Sequence, residues 1–276
     1  MFFENVAIWW SKDTVALVTG GNKGIGFEIV KQLANQGLSV ILTSRDEERG
    51  LEAKQVLKKE GIDVDFHTLD VASVESSRQL TSWLGKHYGG LDILMCMYCM
   101  EAKRPHWCQR QMEQIEWTTP KREIEKRVDV LWYQFFEGAH PFSKWLGGSG
   151  PVVFQHLRLG DIDNLTQEEL DMLGNEYLEA VKGERWQAEG WPYSLYMASK
   201  ALLNAYTRLL AKTFGSRLEG QKIYVNCMHP GLVKTDMNPS GHLSPAEGAD
   251  TAVWLALLPP GGLSGHFFYR RSDYEF

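Results

Sequence analysis

The sequence predicts an α/β fold, a doubly wound parallel sheet with helices on both faces, and three observations lead to it. The stretch Thr14 to Gly26 begins as a short apolar run rich in β-branched residues, breaks into glycines and then enters an amphipathic segment, the succession of strand, tight turn and helix. A second apolar run, Leu38-Ser39-Val40-Ile41-Leu42-Thr43, follows at the spacing of a β-α-β unit, whose two strands run parallel. The alternation of helix and short strand then continues as far as Leu94, which places a bound cofactor across the C-terminal ends of the strands.

Each element follows from its own residues. The first helix, Ile25 to Gln36, carries Ile29, Val30 and Leu33 on one stripe and stops at Gly37, a fitting residue just past a helix end. Asp46 to Glu60 reads as a charged helix, Ile62 to Leu69 as a third strand ending at Asp70, and Ser73 to His87 as a helix with Ser73 as its N-cap. Leu91-Asp92-Ile93-Leu94 starts a fourth strand. From Met95 the periodicity is lost, and before Gly160 only a helix from about Lys121 to Phe136 and a strand from Pro151 to Leu157 are legible. An acidic, helix-favouring insert lies between Gly160 and Trp191, with Thr166 and Glu169 spaced as a capping box. A helix from Ser194 to Phe214 and a strand from Lys222 to Met228, closed by His229-Pro230-Gly231, come next. Pro245 to Leu257 is a further helix and Gly265 to Tyr269 a last strand.

The glycine turn carries the first functional expectation. Gly20, Gly24 and Gly26 let the backbone turn sharply, clear space for a bound group and bring the helix close to the strand. The free N–H groups at the helix start, with the positive end of its dipole, suit a pyrophosphate. The candidate cofactor-binding residues here are Gly20, Asn22, Lys23, Gly24, Ile25 and Gly26. The second strand ends in Ser44-Arg45, where a ribose-reading acidic residue would otherwise lie. Arg45 therefore points to a 2′-phosphate, and Lys23 adds a second positive charge, so that NADP is favoured over NAD. Two solvated surface cations are the alternative account of this pair.

The whole chain sets the bounds. At 276 residues, with no Pro/Ser/Gly-rich linker, it reads as one domain over residues 1–276 with enough chain for a sizeable core. A hydrophobic fraction of 43% and a formal charge of -6 describe a soluble globular protein without a nucleic-acid partner. Its basic cluster, Lys121-Arg122 with Lys126-Arg127, is interleaved with Glu123 and Glu125 and reads as a solvated helix face. No segment is long and apolar enough to span a bilayer, and Met1 to Asp13 lacks the basic start and long apolar core of a signal peptide. Four cysteines in a chain this long do not make a disulfide framework, which points to a reducing, cytoplasmic setting.

The helix from Ser194 holds Tyr196-Met197-Ala198-Ser199-Lys200. A tyrosine and a lysine four apart share a helix face, one turn from each other. A phenol with an unperturbed pKa of about 10 is a poor proton donor at neutral pH, and a nearby ammonium lowers it toward the operating range. Tyr196 is thus the candidate proton donor to a carbonyl oxygen as hydride arrives from the nicotinamide, with Lys200 its partner and a holder of the cofactor ribose.

Thr19-Gly20-x-x-x-Gly24-x-Gly26, Leu69-Asp70-Val71, Tyr196-x-x-x-Lys200 and Pro230-Gly231-Leu232-Val233-Lys234-Thr235 together resemble the short-chain dehydrogenase/reductase family. Thr43-Ser44-Arg45-Asp46, Gly190-Trp191-Pro192, the run Lys200 to Arg208 and Leu257-Leu258-Pro259 resemble in particular its plant NADPH-dependent carbonyl reductases of the salutaridine and menthone reductase type. The resemblance implies a Rossmann-type fold, NADPH, and reduction of a ketone or aldehyde on a small terpenoid or alkaloid substrate. It implies that Asp70 and Val71 flank the adenine and that Pro230, Gly231, Val233 and Thr235 line the nicotinamide. It also implies that the insert, about residues 161–190, covers the usual dimer face and leaves a monomer.

The departures from the family pattern lie between Met95 and Arg158. Cys96-Met97-Tyr98-Cys99 stands where the family has Asn-Asn-Ala-Gly, Leu157 beside His156 where it has the catalytic serine, and Leu131 where it has the catalytic asparagine. Leucine neither donates a hydrogen bond nor positions a water, so impaired catalysis is expected. A catalytically silent NADP-binding protein with a regulatory or assembly role is the alternative. The types of Cys96, Cys99, His106 and Cys108 also suit zinc, but cysteines three apart on a strand point to opposite faces, and no metal is expected.

Overall fold

The computed structural model describes residues 8–97, 132–133, 158–191, 195–217, 223–236, 238–259 and 261–274, with 132–133 and 195–196 described by backbone alone. The first half builds β1 (Val15–Val18), α1 (Gly24–Asn35), β2 (Ser39–Ser44), α2 (Glu47–Lys59), β3 (Asp65–Thr68), α3 (Val74–His87) and β4 (Ile93–Met95). These four strands form one parallel sheet in the order β3-β2-β1-β4. The chain moves outward from β1 to β2 and β3, then crosses back to lay β4 on the other side of β1. The connections therefore diverge between β1 and β4, which opens a crevice at the strands' C-terminal ends.

The alternation of β1 divides the core between two layers. Val15 and Leu17 face a cluster that includes Leu80 and Leu84 of α3, whereas Ala16 and Val18 face Ile29, Val30 and Leu33 of α1. All of these residues are buried, and the period of two puts one helical layer on each side of the sheet. Fully burying each of the three α1 side chains is worth about 1.5–3 kcal/mol, which exceeds any helix propensity in the segment.

The second half adds β5 (Trp132–Tyr133), α4 (Gln167–Lys182), α5 (Leu195–Gly215), β6 (Cys227–His229), α6 (Pro245–Ala256), β7 (Phe267–Tyr269) and β8 (Ser272–Tyr274). β5, β6 and β7 are parallel neighbours, and β8 returns antiparallel to β7. Helices α4 and α5 join the α3 side through Leu173, Tyr177, Ala198 and Leu203, while α6 joins the α1 side through Ala249, Ala252 and Leu255. The doubly wound parallel sheet expected from the sequence is thus present.

Three details differ from the expected elements. Trp132–Tyr133 is strand, not part of a helix from Lys121 to Phe136; aromatic residues suit a pleated, half-buried surface, and this pair aligns with Cys227 and Met228. β6 is shorter than Lys222 to Met228, because around it side chains replace ladder bonds: Val225 N donates to Ser264 Oγ and Asn226 Nδ2 to the Leu263 carbonyl. The β7–β8 hairpin has no sequence signature, since its turn residues Arg270 and Arg271 adopt φ of 50° and 59° where glycine or asparagine is usual. Arg271 is held there by an ion pair with Asp250, and the Arg270 guanidinium lies 5.2 Å from the Tyr269 ring centre. The strand expected from Pro151 to Leu157 lies outside the described residues.

The helix starts are fixed by side chains. Asp46, Ser73, Thr166 and Ser244 accept from the backbone N–H groups of Arg49, Ser76, Glu169 and Glu247. At Ser244 the bond is reciprocal, with the Glu247 carboxylate 2.7 Å from Ser244 N. Glu169 at the corresponding place on α4 also lies 3.6 Å from Arg158. Removing the α6 cap by Ser244→Ala should cost about 0.5–2 kcal/mol, read as a lower denaturant midpoint with an unchanged slope; an unchanged midpoint would show that α6 is held by packing alone.

Candidate active site

The crevice is framed by the backbone at the ends of β1, β2 and β4. Thr19 N donates to the Met95 carbonyl at 2.9 Å, and the Thr19 hydroxyl accepts from Met97 N at 2.8 Å, stapling the two strand ends on either side of the switch point. Gly21 N donates to the Thr43 carbonyl at 2.9 Å, and Thr43 Oγ1 returns a bond to the Val18 carbonyl at 3.1 Å. Gly26 then lets α1 close on the turn: a Cβ there would stand 2.4 Å from the Gly20 carbonyl oxygen. No side chain fits, so the helix start is pressed onto the loop that would meet a pyrophosphate.

The N-terminus of α1 differs from those of α2, α3, α4 and α6. Its N-cap is Lys23, extended at φ -158° and ψ 166°, which has no acceptor and makes no side-chain cap bond; its first turn holds no acidic residue. The orphan N–H groups and the positive dipole end therefore meet no anionic side chain from their own helix. A dinucleotide's phosphates would supply the missing acceptors, so the residues present fit the cofactor expected from the sequence. Lys23 itself reaches across to the loop after β6, with its Nζ 2.8 Å from Asp236 Oδ2. Arg45 is exposed directly after β2. Beyond β3, Asp70 Oδ1 accepts from Ala72 N at 2.9 Å, and Val71 presents an exposed apolar side chain.

Lys200 and Tyr196 share α5, one turn apart. Lys200 is only 2% exposed, among the largest fully buried side chains of the described residues. An ammonium is expensive to bury unless paired or hydrogen-bonded, and Lys200 does have interactions in this environment. The Tyr196 side chain lies outside the described residues, as do Leu131, His156 and Leu157. Cys99, His106 and Cys108 lie outside them as well. Of the cysteine positions suggested for zinc, Cys96 is a free thiol whose sulfur sits among apolar neighbours, which pushes its pKa up to about 12 and disfavours the thiolate a metal needs. Among the described residues no group of three or more His, Cys, Asp or Glu side chains is placed to hold a metal.

The loop after β6 is organised by a residue not singled out from the sequence. His229 is 5% exposed, and its Nδ1 accepts from Gly231 N at 2.8 Å, so that its proton belongs on Nε2. This is an Asx-turn geometry with imidazole in place of a carboxamide, spanning Pro230. Gly231 sits at φ 85°, and a Cβ there would meet Leu243 Cδ1 at 2.4 Å. Leu232 accepts from His242 N and Leu243 N, and Lys234 N donates to the Leu243 carbonyl at 2.8 Å, closing the loop on itself. Pro230, Gly231 and Val233 are buried, and the Thr235 side chain lies 3.8 Å from where a Gly24 Cβ would stand. The expected nicotinamide loop is thereby brought onto the glycine turn. The signal for His229 was present in His-Pro-Gly, but only if imidazole is counted as a side-chain acceptor.

The insert packs against α5. Tyr177 of α4 packs on Trp191 with ring centres 5.2 Å apart, and both are 3% exposed. Arg158 ties the chain before the insert to Glu176 at 2.7 Å, and Lys212 of α5 donates to the Ile162 and Asp163 carbonyls. The His229 turn gives a test. His229→Leu leaves the Gly231 N–H buried without its acceptor and should cost about 1–3 kcal/mol. His229→Asn keeps an acceptor at the δ position and should cost less, although it fills less volume. Calorimetric melting of both variants decides; equal losses, or a greater loss for asparagine, would assign His229 to packing alone.

Comparison with known proteins bears on the same residues. The family model described as short chain dehydrogenase matches residues 14–117. The chain is 38% identical to (+)-neomenthol dehydrogenase of Arabidopsis thaliana, over 95% of this chain and 97% of that one. It is 35% identical to carbonyl reductase [NADPH] 1 of Mus musculus, over 93% and 95% of the two chains. The solved structure of salutaridine reductase from Papaver somniferum superposes with a TM-score of 0.74 at 31% identity, covering 93% of this chain and 99% of that one. With a crevice at the β1/β4 switch point and relatives at this identity over nearly the whole chain, the chain belongs to the short-chain dehydrogenase/reductase family, a family of oxidoreductases.

Proposed function

We propose that the protein is an NADPH-dependent reductase of a ketone or aldehyde on a small terpenoid or alkaloid substrate, its catalysis weakened at two positions. The observation that carries the cofactor is the N-terminus of α1, whose N-cap Lys23 makes no side-chain cap bond and whose first turn holds no acidic residue, together with the exposed Arg45 directly after β2. The names of the mouse carbonyl reductase, the neomenthol dehydrogenase and the salutaridine reductase support the substrate class. NADPH supplies the hydride. The chain's own part is to hold the dinucleotide between the glycine turn and the loop from Pro230 to Thr235, and to give a proton to the carbonyl oxygen from the Tyr196 hydroxyl. Buried Lys200, one turn on, favours the phenolate left behind and supports the ribose. Asn22 and Ile25 belong to the phosphate-facing turn, and Asp70 and Val71 to the adenine side.

A second reading, a catalytically silent NADP-binding protein, is favoured by Leu131 and Leu157 alone. Losing one preorganised donor typically costs 10²-fold to 10³-fold in rate. The unaltered protein should therefore oxidise NADPH slowly against a panel of cyclic ketones. Leu157→Ser with Leu131→Asn should accelerate it, and Tyr196→Phe should abolish it. A double variant that binds NADPH and reduces nothing would leave the silent reading standing. We further propose one cofactor-binding domain, a monomer and a cytoplasmic setting. Packing of α4 on α5 supports the monomer, and the free thiols of Cys96 and Cys227 support the setting. Among the described residues no helix is long and apolar enough to cross a membrane.

Arg45 and Lys23 make the cofactor preference measurable. A charge-assisted bond from Arg45 to the 2′-phosphate is worth about 1.5–3 kcal/mol, so Arg45→Ala should weaken NADPH roughly tenfold or more and leave NADH nearly unchanged. Titration of both dinucleotides checks this; equal affinities in the unaltered protein would remove the 2′-phosphate from the proposal.

A further inference from the structure

The pair between Lys23 and Asp236 joins residues 213 positions apart, across the mouth of the crevice. Lys23 is the N-cap of α1, where the dinucleotide's phosphates are expected, and Asp236 directly follows Thr235 of the proposed nicotinamide loop. Asp236 is held on a short turn: Thr235 N donates to the Asn238 carbonyl at 3.2 Å and Asn238 N to the Thr235 carbonyl at 3.0 Å. The Asn238 amide in turn reaches the Val233 carbonyl at 3.3 Å, fixing that turn to the buried part of the loop. The carboxylate is thus presented to Lys23 by structure, not by a long wandering side chain. Its pKa lies below the usual carboxylate range because it accepts a hydrogen bond from Lys23.

We infer that Asp236 is a built-in competitor for the cofactor's 2′-phosphate: it occupies Lys23 when the phosphate is absent and must yield that ammonium when the phosphate arrives. This rests on the reading of Lys23 as a 2′-phosphate ligand. Two anions cannot share one exposed ammonium without repelling each other, so each lowers the affinity of Lys23 for the other. The pair has a second consequence, because Asp236 belongs to the nicotinamide loop whereas the 2′-phosphate belongs to the adenosine end. Arrival of the phosphate at Lys23 would then also free Asp236, and with it one contact that holds this loop to the glycine turn. Asp236 therefore sets the NADPH-to-NADH preference below what Arg45 and Lys23 alone would give.

The two side chains are 61% and 78% exposed, so the effect is that of a solvated pair, and its removal should change binding by about two- to fivefold. The test is fluorescence titration of NADPH and NADH with the full chain and with Asp236→Asn, Asp236→Ser, Lys23→Gln and the Asp236→Asn/Lys23→Gln double variant. Asp236→Asn and Asp236→Ser should each tighten NADPH about two- to fivefold and leave NADH unchanged, and raising the salt should shrink the gain. In the Lys23→Gln background Asp236→Asn should have no effect. An equal gain for both dinucleotides, a loss of NADPH affinity, or a gain that persists without Lys23 would overturn competition at the 2′-phosphate. A protein that prefers NADPH but is indifferent to Asp236 overturns this inference and leaves the proposed function intact. A protein that binds neither dinucleotide overturns both, and the pair is then a surface ion pair only.

Discussion

The approach of α1 to the turn after β1 is the constraint on which the rest of the molecule depends. The space between Gly26 and the Gly20 carbonyl admits no Cβ. That contact sets the angle at which α1 leaves the sheet, which lets Ile29, Val30 and Leu33 bury against Ala16 and Val18 and lets α6 pack behind them. It also aims the helix N-terminus at the crevice. One geometric fact thus serves packing and the proposed cofactor site together, because a side chain at Gly26 would disturb both.

The crevice is built from main chain, and this explains how it persists through an unusual sequence. Thr19 bonds the backbone of Met95 and Met97, not their side chains. Cys96 and Met97 can therefore replace the polar residues of the family pattern while the β1–β4 junction stays intact. The same economy appears at β6, where the His229 ring fixes the backbone of Gly231 and the loop beyond it sets Thr235 against the glycine turn. What such a framework cannot replace is a side chain that must itself donate a proton or a hydrogen bond. On the proposed reading, binding and catalysis are separable in this chain, with Leu131 and Leu157 on the catalytic side.

The elements legible from sequence are those whose signal is local. β1 through β4 and their helices follow from periodicity and capping, and Ser73 and Thr166 bond the N–H groups that their positions suggested. The elements that were missed depend on contacts distant in sequence. Trp132–Tyr133 is strand because β6 lies beside it, and the β7–β8 turn tolerates two arginines because Asp250 and Tyr269 hold them. In the site, the glycine turn and the tyrosine and lysine of α5 are visible as motifs. Asp236 is not, since nothing in Lys234-Thr235-Asp236 points to a lysine 213 residues earlier.

Burial explains why two of the cationic residues assigned to the cofactor behave so differently. Lys200, 2% exposed, sits in a place prepared by α5 and its neighbours, and its charge acts at short range where little water screens it. Lys23, 61% exposed on its side chain, acts where water and salt weaken every interaction and where a single carboxylate can occupy it. The first suits the support of a proton donor, which needs a strong and constant field. The second suits recognition, which needs a contact weak enough to be exchanged. On the proposed reading the two tasks fall to different segments, α5 and the glycine turn, and Asp236 of the loop after β6 is bonded to the second.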